Sequence, residues 1–233
     1  MARIDLPLEI EEFLSWMVAE KGRSPNTLAA YRRDLTAYWT WLRSRERTVL
    51  DVAHSELVEF VAERRASEAA TSSIARQLAA IRMLHRFLAI EGERPDDPAA
   101  DLEGVRVPSG IPKPLDESQV ASLLDAVTGT APADQRDRAL LELLYATGAR
   151  ISEAVGLSIG DVNLDDRLVR LYGKGAKERI VPFGGTAARA FHDWFSTSGR
   201  AHLIPTQWKR RGDAEAIFLN TRGGRLTRQA AWL

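Results

Sequence analysis

The stretch LVRLYGKGAKERIVP, residues 168–182, is where the chain stops reading as helix. Leu168 to Tyr172 and Glu178 to Pro182 are short runs rich in β-branched and aromatic residues. Gly173, Lys174, Gly175, Ala176 and Lys177 lie between them, so the pattern predicts a β-hairpin with a long basic turn. A lysine at the tip of such a turn is usually solvated. Flanking glycines, however, let Lys174 approach a backbone closely. Both readings stay open on the turn alone.

Around this hairpin the periodicity is helical. Upstream, residues 117–127, 137–146 and 150–157 read as helices, the second strongly apolar through Leu140, Leu141, Leu143, Leu144 and Tyr145. Downstream, 187–197 reads as a helix and 216–220 as a further short strand. Residues 221–224 read as a turn, and Thr227 is a candidate N-cap.

The first ninety or so residues read as four helices. Residues 8–20 place Ile10, Phe13, Leu14 and Met17 on one face. Ser24 followed by Pro25 starts a second helix, with Leu28, Tyr31, Leu35, Tyr38 and Leu42 on its apolar face. Residues 55–65 form a third, burying Leu57, Phe60 and Val61. A fourth begins at a Thr71, Ser72, Ser73 cap, has Ile74, Leu78, Ile81 and Leu84 or Leu88 as its apolar face, and stops near Gly92. Pro95, Pro98, Pro108, Pro112 and Pro114 then forbid a helix and read as a linker. The expected organisation is an N-terminal domain over 1–94, a linker over 95–114 and a second domain over 115–233.

Composition narrows the class. The 233 residues are 45% hydrophobic and 27% charged, which suits a globular protein with a sizeable core. No run resembles a membrane span, and the acidic start does not resemble a signal peptide. The absence of cysteine excludes disulfides and thiolate chemistry and fits a cytoplasmic location. Net charge is zero. It divides unevenly, with 14 basic against 18 acidic residues up to Val105 (−4) and 18 against 14 from Arg106 onward (+4). So small a difference is either noise or the trace of a basic face.

The run Thr147, Gly148, Ala149, Arg150, Ile151, Ser152, Glu153 joins two helices at a glycine and leaves Arg150 free to project. A guanidinium there grips a phosphate through its planar fork. The plainer reading is a surface ion pair with Glu153. On the fourth helix Arg76, Arg82 and Arg86 lie off the apolar face. Arg82 and Arg86 are one turn apart and suited to entering a groove together. Arg32 and Arg33 are candidates for phosphate contact. Arg228 and Gln229 open a helix in a basic segment, which favours phosphate. Solvated helix faces are the competing account of these arginines.

These elements together resemble the tyrosine recombinases. The resemblance rests on the Arg150 run, on the Gly173–Gly175 turn with Lys177, Glu178, Arg179, Val181 and Pro182, and on Leu226, Thr227, Arg228 and Gln229. Residues 24–35 and the Asp96, Asp97, Pro98 segment resemble the Xer branch, its D subtype more than its C subtype. The likeness covers nearly the whole chain. It implies a mostly α fold: an N-terminal four-helix, SAM-like core-binding domain, and a mixed α/β catalytic domain with a small antiparallel β-sheet. It implies a clamp on double-stranded DNA, a tetramer on DNA, a second Xer-type recombinase as partner, resolution of chromosome dimers, and no metal or other cofactor. Arg150 matches the family's first catalytic arginine and Lys174 its hairpin lysine, the general acid to the leaving 5′-oxygen. Lys177, Arg179, Thr227, Arg228 and Gln229 are then DNA contacts.

The chain also departs from the pattern. His54, His85, His192 and His202 lack an arginine three positions on, so the family's His-x-x-Arg helix is not among them. They read as ordinary surface or helix histidines without metal-site spacing. Tyr31, Tyr38, Tyr145 and Tyr172 read as core packing, and none matches the family's nucleophile. The chain ends six residues after the Thr227 cap on Trp232 and Leu233, and this reads as a sequence cut before the nucleophile, inactive as it stands. Other readings are a phage or transposon integrase, a non-catalytic DNA-binding protein of the same fold, and an unrelated helical transcription factor.

Overall fold

The computed structural model describes residues 5–107, 113–173, 175 and 177–232. They form two compact units, Met1–Pro112 and Lys113–Leu233.

The first unit packs four helices, α1 (Leu8–Ala19), α2 (Pro25–Arg43), α3 (His54–Ala66) and α4 (Thr71–Ile90). Pro25 starts α2, and Ser24 Oγ accepts from Thr27 N at 3.3 Å, satisfying one of the helix's free N–H groups. The expected serine-threonine cap of α4 is not used. Ala70 holds that position and Thr71 is already helical. The core gathers where the apolar faces meet: Ile10, Phe13 and Met17 of α1, Leu35 and Tyr38 of α2, Leu57 and Phe60 of α3, Leu78, Ile81 and Leu84 of α4. Tyr38 and Phe60 meet edge to face at 5.4 Å. Truncating a ring of this kind to alanine costs about 3–5 kcal/mol.

Two polar groups are buried in this core. Of the two readings, surface or helix, His85 takes the second: it lies in α4, fully buried, and its Nε2 shares a 2.8 Å hydrogen bond with the Tyr38 hydroxyl. Asp34 is buried within the charged side of α2 and receives Arg76. The proline-rich segment also differs from a plain linker. Ala99 and Leu102 join the core, and buried Arg94 donates to the carbonyls of Val49 at 2.9 Å and Val52 at 3.1 Å. The His54 ring bonds the carbonyl of Pro98 at 2.8 Å. These apolar side chains and carbonyl acceptors bind the segment to the four helices despite its prolines.

The second unit contains α5 (Glu117–Asp125), α6 (Pro132–Thr147), α7 (Ile151–Gly156), β1 (Val162–Asn163), β2 (Leu168–Tyr172), β3 (Glu178–Pro182) and α8 (Gly185–Phe195). The strands form an antiparallel sheet in the order β1-β2-β3. Hairpin register pairs Leu168 with Pro182 and Tyr172 with Glu178, which turns Val169 and Leu171 inward. They pack with Leu143, Ala154, Phe191, Trp194 and Phe218. Sheet and core thereby support α7 from below.

Residues 216–220 do not form the expected strand. Ala216 to Leu219 are fully buried, yet they make only isolated bridges, Ser158 with Ala216 and Leu219 with Arg225. Their carbonyls are satisfied one by one. Arg200 Nε donates to Ala216 at 3.0 Å, Trp194 Nε1 to Ile217 at 3.0 Å, Leu226 N to Phe218 at 2.8 Å and Arg136 Nη1 to Leu219 at 3.1 Å. A buried backbone needs partners but does not need a ladder. The expected C-terminal helix is a single 3-10 turn, Ala230–Trp232, whose start Thr227 caps by accepting from Ala230 N at 3.1 Å.

Candidate functional site

The site grows from the junction of α6 and α7. Gly148 ends α6 at φ 60, a left-handed conformation that glycine adopts without strain. The chain then reverses, and Arg150 stands at the N-cap of α7 with φ −70 and ψ 148. Its side chain is 72% exposed while that of Glu153 is 3% exposed. Glu153 Oε2 accepts from Arg150 N at 2.7 Å, and Oε1 accepts from Arg150 Nη1 at 3.1 Å. The ion pair and the projecting guanidinium, which competed as readings of the sequence, therefore coexist.

Glu153 also receives Arg179 from β3, through Nη1 at 2.9 Å and Nη2 at 2.7 Å. This planar two-point grip ties the hairpin to α7. The Arg179 hydrogen bonds, with those from the backbone and side chain of Arg150, push the Glu153 carboxyl down to about 2, against the opposing effect of its burial. One carboxylate thus faces two guanidiniums, and the site keeps one formal positive charge in excess. Glu153 is the residue that sequence reasoning undervalued. Its only signal was a position three residues after Arg150.

The base of the hairpin turn lies against the same carboxylate. A Cβ added to Gly173 would sit 3.4 Å from Glu153 Oε1, so glycine permits this approach. Gly173 N donates to Lys177 O at 2.8 Å and closes the turn, and Gly175 takes φ 76. Lys174 itself lies outside the described residues. Lys177 is exposed.

The remaining candidates fall into two groups. Arg33, Arg86, Arg228 and Gln229 are exposed and, among the described residues, carry no side-chain hydrogen bond or ion pair. Thr227 is exposed and serves as the cap described above. Arg32 is held by Glu11, with Nη2 to Oε2 at 2.6 Å. Arg76 is held by Asp34 through Nε at 2.8 Å and Nη2 at 2.9 Å. Arg82 turns back onto the carbonyl of Leu102, so it does not project beside Arg86 as its spacing suggested. The tyrosines divide too. Tyr38 is buried and Tyr31 half-buried, whereas Tyr145 and Tyr172 are 56% and 47% exposed, correcting their reading as core. Among the described residues no cluster of His, Cys, Asp or Glu has the form of a metal site. No described helix is long and apolar enough to cross a membrane.

Comparison with known proteins gives the family of the chain. Residues 113–233 match the phage integrase family, and residues 10–92 match the N-terminal SAM-like domain of phage integrases. The chain belongs to the phage integrase family. Tyrosine recombinase XerD of Yersinia pestis is 40% identical over 232 residues, covering 100% of this chain and 75% of that protein. Tyrosine recombinase XerD of Mycobacterium tuberculosis (strain CDC 1551 / Oshkosh) is 43% identical over 239 residues, covering 97% and 75%. The fold recurs in the Tn1549 transposon integrase solved with circular intermediate DNA, at 18% identity and TM-score 0.67 over 94% of this chain and 73% of that one. It recurs in a lambda integrase tetramer bound to a Holliday junction, at 15% identity and TM-score 0.68 over 96% and 62%. Membership in this integrase family agrees with the mostly helical architecture and its small three-stranded sheet.

Proposed function

We propose that this chain is the core-binding and phosphate-holding part of a site-specific tyrosine recombinase of the Xer type. It acts on double-stranded DNA in the cytoplasm, as a tetramer with a second Xer-type recombinase, and resolves chromosome dimers. The observation that carries the reading is the Arg150 guanidinium, exposed yet anchored by a buried carboxylate that also grips the hairpin. Such a group is oriented before substrate arrives, and it meets charge that builds on the non-bridging phosphate oxygens in the transition state. Lys174 would protonate the leaving 5′-oxygen as the phosphorus–oxygen bond breaks.

The same reading assigns residues 1–94, with the docked residues 95–102, to the core-binding domain, the remainder of 95–114 to the linker and 115–233 to the catalytic domain. Its DNA contacts are the exposed Arg33 and Arg86, with Arg32, on the N-terminal side, and Lys177, Thr227, Arg228 and Gln229 on the catalytic side; Arg76, Arg82 and Arg179 are committed to Asp34, the Leu102 carbonyl and Glu153. None of the four tyrosines here is its nucleophile, so this chain alone binds DNA without cutting it. The test is Arg150→Ala in the full-length protein, assayed for strand cleavage and duplex binding. Cleavage should be abolished while binding largely remains, because many other phosphate contacts persist. Cleavage at the wild-type rate would refute the reading.

A further inference from the structure

We infer that Arg225 is a positioning residue for Arg150, clamping the far end of the short helix whose first end carries that guanidinium. The inference rests on the reading of Arg150 as the phosphate-holding group.

Arg225 Nη1 donates to the carbonyl oxygens of Gly156 at 2.6 Å and Leu157 at 2.7 Å, and reaches that of Val155 at 3.4 Å. Nη2 donates to Ser158 Oγ at 3.0 Å and reaches the Gly212 carbonyl at 3.4 Å. The last carbonyls of a helix have no partners within it, and a cation there satisfies them. No carboxylate pairs with this guanidinium among the described residues, so its donors are committed to oxygen atoms at the end of α7 and to Gly212. Arg225 is itself held from behind: its backbone N donates to buried Asp213 Oδ1 at 3.2 Å. Neighbouring bonds run the same way, Ile217 N to Leu157 O at 3.1 Å and Ile159 N to Glu215 O at 2.8 Å.

The effect reaches Arg150 because α7 is short. Six residues span about 9 Å at 1.5 Å per residue, and so few turns do not hold a direction unaided. Glu153 sits in the middle of α7 and grips both Arg150 and Arg179. If the C-terminal end of α7 loosens, that carboxylate moves and both guanidiniums move with it. A misplacement near 1 Å at a reacting group costs on the order of 10²-fold in rate.

Arg225→Gln and Arg225→Lys in the full-length protein test this through three readouts: amide exchange of Ala154 and Leu157, duplex affinity against salt, and single-turnover strand cleavage. Arg225→Gln should speed exchange at those two α7 amides and leave the N-terminal unit unchanged. It should slow cleavage by about 10²-fold, with duplex affinity and its salt slope as in the wild type. Arg225→Lys should recover part of both losses. Slower cleavage with unchanged α7 exchange overturns the positioning role. A salt slope reduced by about one also overturns it, since Arg225 would then be a phosphate contact in its own right. If Arg225→Gln does not fold, Arg225→Lys decides: one ammonium cannot serve three carbonyls and Ser158 together. It must then show a weaker form of the same split, and faster exchange with wild-type cleavage would overturn the inference. Arg150→Ala is the control: normal cleavage there sinks the reading of Arg150 and leaves the clamp at Arg225 standing as structure only.

Discussion

Arginine is used differently at the helix pairings of the N-terminal unit and at the α7–β3 junction of the C-terminal unit. In the N-terminal unit Arg32 has Glu11 and Arg76 has Asp34, one carboxylate for each guanidinium, so these pairs are close to neutral. In the C-terminal unit a single carboxylate, Glu153, serves both Arg150 and Arg179, and the pairings leave positive charge to spare. The first arrangement fastens helices together. The second holds a cation in place while leaving it able to meet an anion. Each unit also buries a group whose protonation the fold resists in acid, His85 in the first and Glu153 in the second, and this sets up the largest expected difference.

Burial, aided by Arg94, holds the His85 ring down to about 3, from an ordinary value of 6.5. Below about pH 6.5 the unfolded chain binds a proton that the folded chain refuses, so the N-terminal unit loses stability as pH falls toward 3. The loss runs up to about 1.4 kcal/mol per pH unit. Glu153 shifts from 4.5 to about 2, so its contribution is complete above 4.5 and disappears only as pH falls toward 2. Acid should therefore unfold the N-terminal unit first. The indole signals of Trp41 and Trp194 report the two units separately in an NMR titration. His85→Phe should remove the earlier window, at a cost of about 1 kcal/mol at neutral pH for the unpaired Tyr38 hydroxyl. Loss of both signals together would break the comparison.

Next in size is Glu153→Gln. It should destabilise the C-terminal unit by about 2 kcal/mol, a figure reduced because both guanidiniums are more than a third exposed. Thermal melting checks the stability, and strand cleavage by the full-length variant should fall with it. Asp34→Asn is its counterpart. It should cost about 1 kcal/mol in melting and leave the cleavage rate per bound complex unchanged, because Asp34 is committed to fastening α2 to α4. Smallest are the exposed cations. Arg33→Ala should lower the slope of log affinity against log salt by about one. Arg32→Ala should lower it by less, since Glu11 already neutralises that guanidinium.

Much of the fold was legible because it follows from periodicity. The faces of α1 to α4 and the alternation of Val169 and Leu171 needed only a local pattern, as did the Ser24–Pro25 start. Residues 216–220 were misread because burial is visible in an apolar run, whereas a ladder depends on a neighbouring strand that the run does not name. Arg200, Trp194 and Arg136 met those carbonyls from far along the chain. The same limit governed the site. Arg150 stood out beside Gly148, but Arg179 meets Glu153 across 26 positions and Arg76 meets Asp34 across 42. Pairings at such separations depend on the folded chain, and Arg225 carried no local mark at all.

The most direct test is a crystal structure of the full-length protein on its duplex DNA site. The account predicts Arg150 donating at about 2.7–2.9 Å to a non-bridging oxygen of one phosphate, with Glu153 still bridging it to Arg179. A phosphate bound elsewhere, with Arg150 folded wholly onto Glu153, would contradict it.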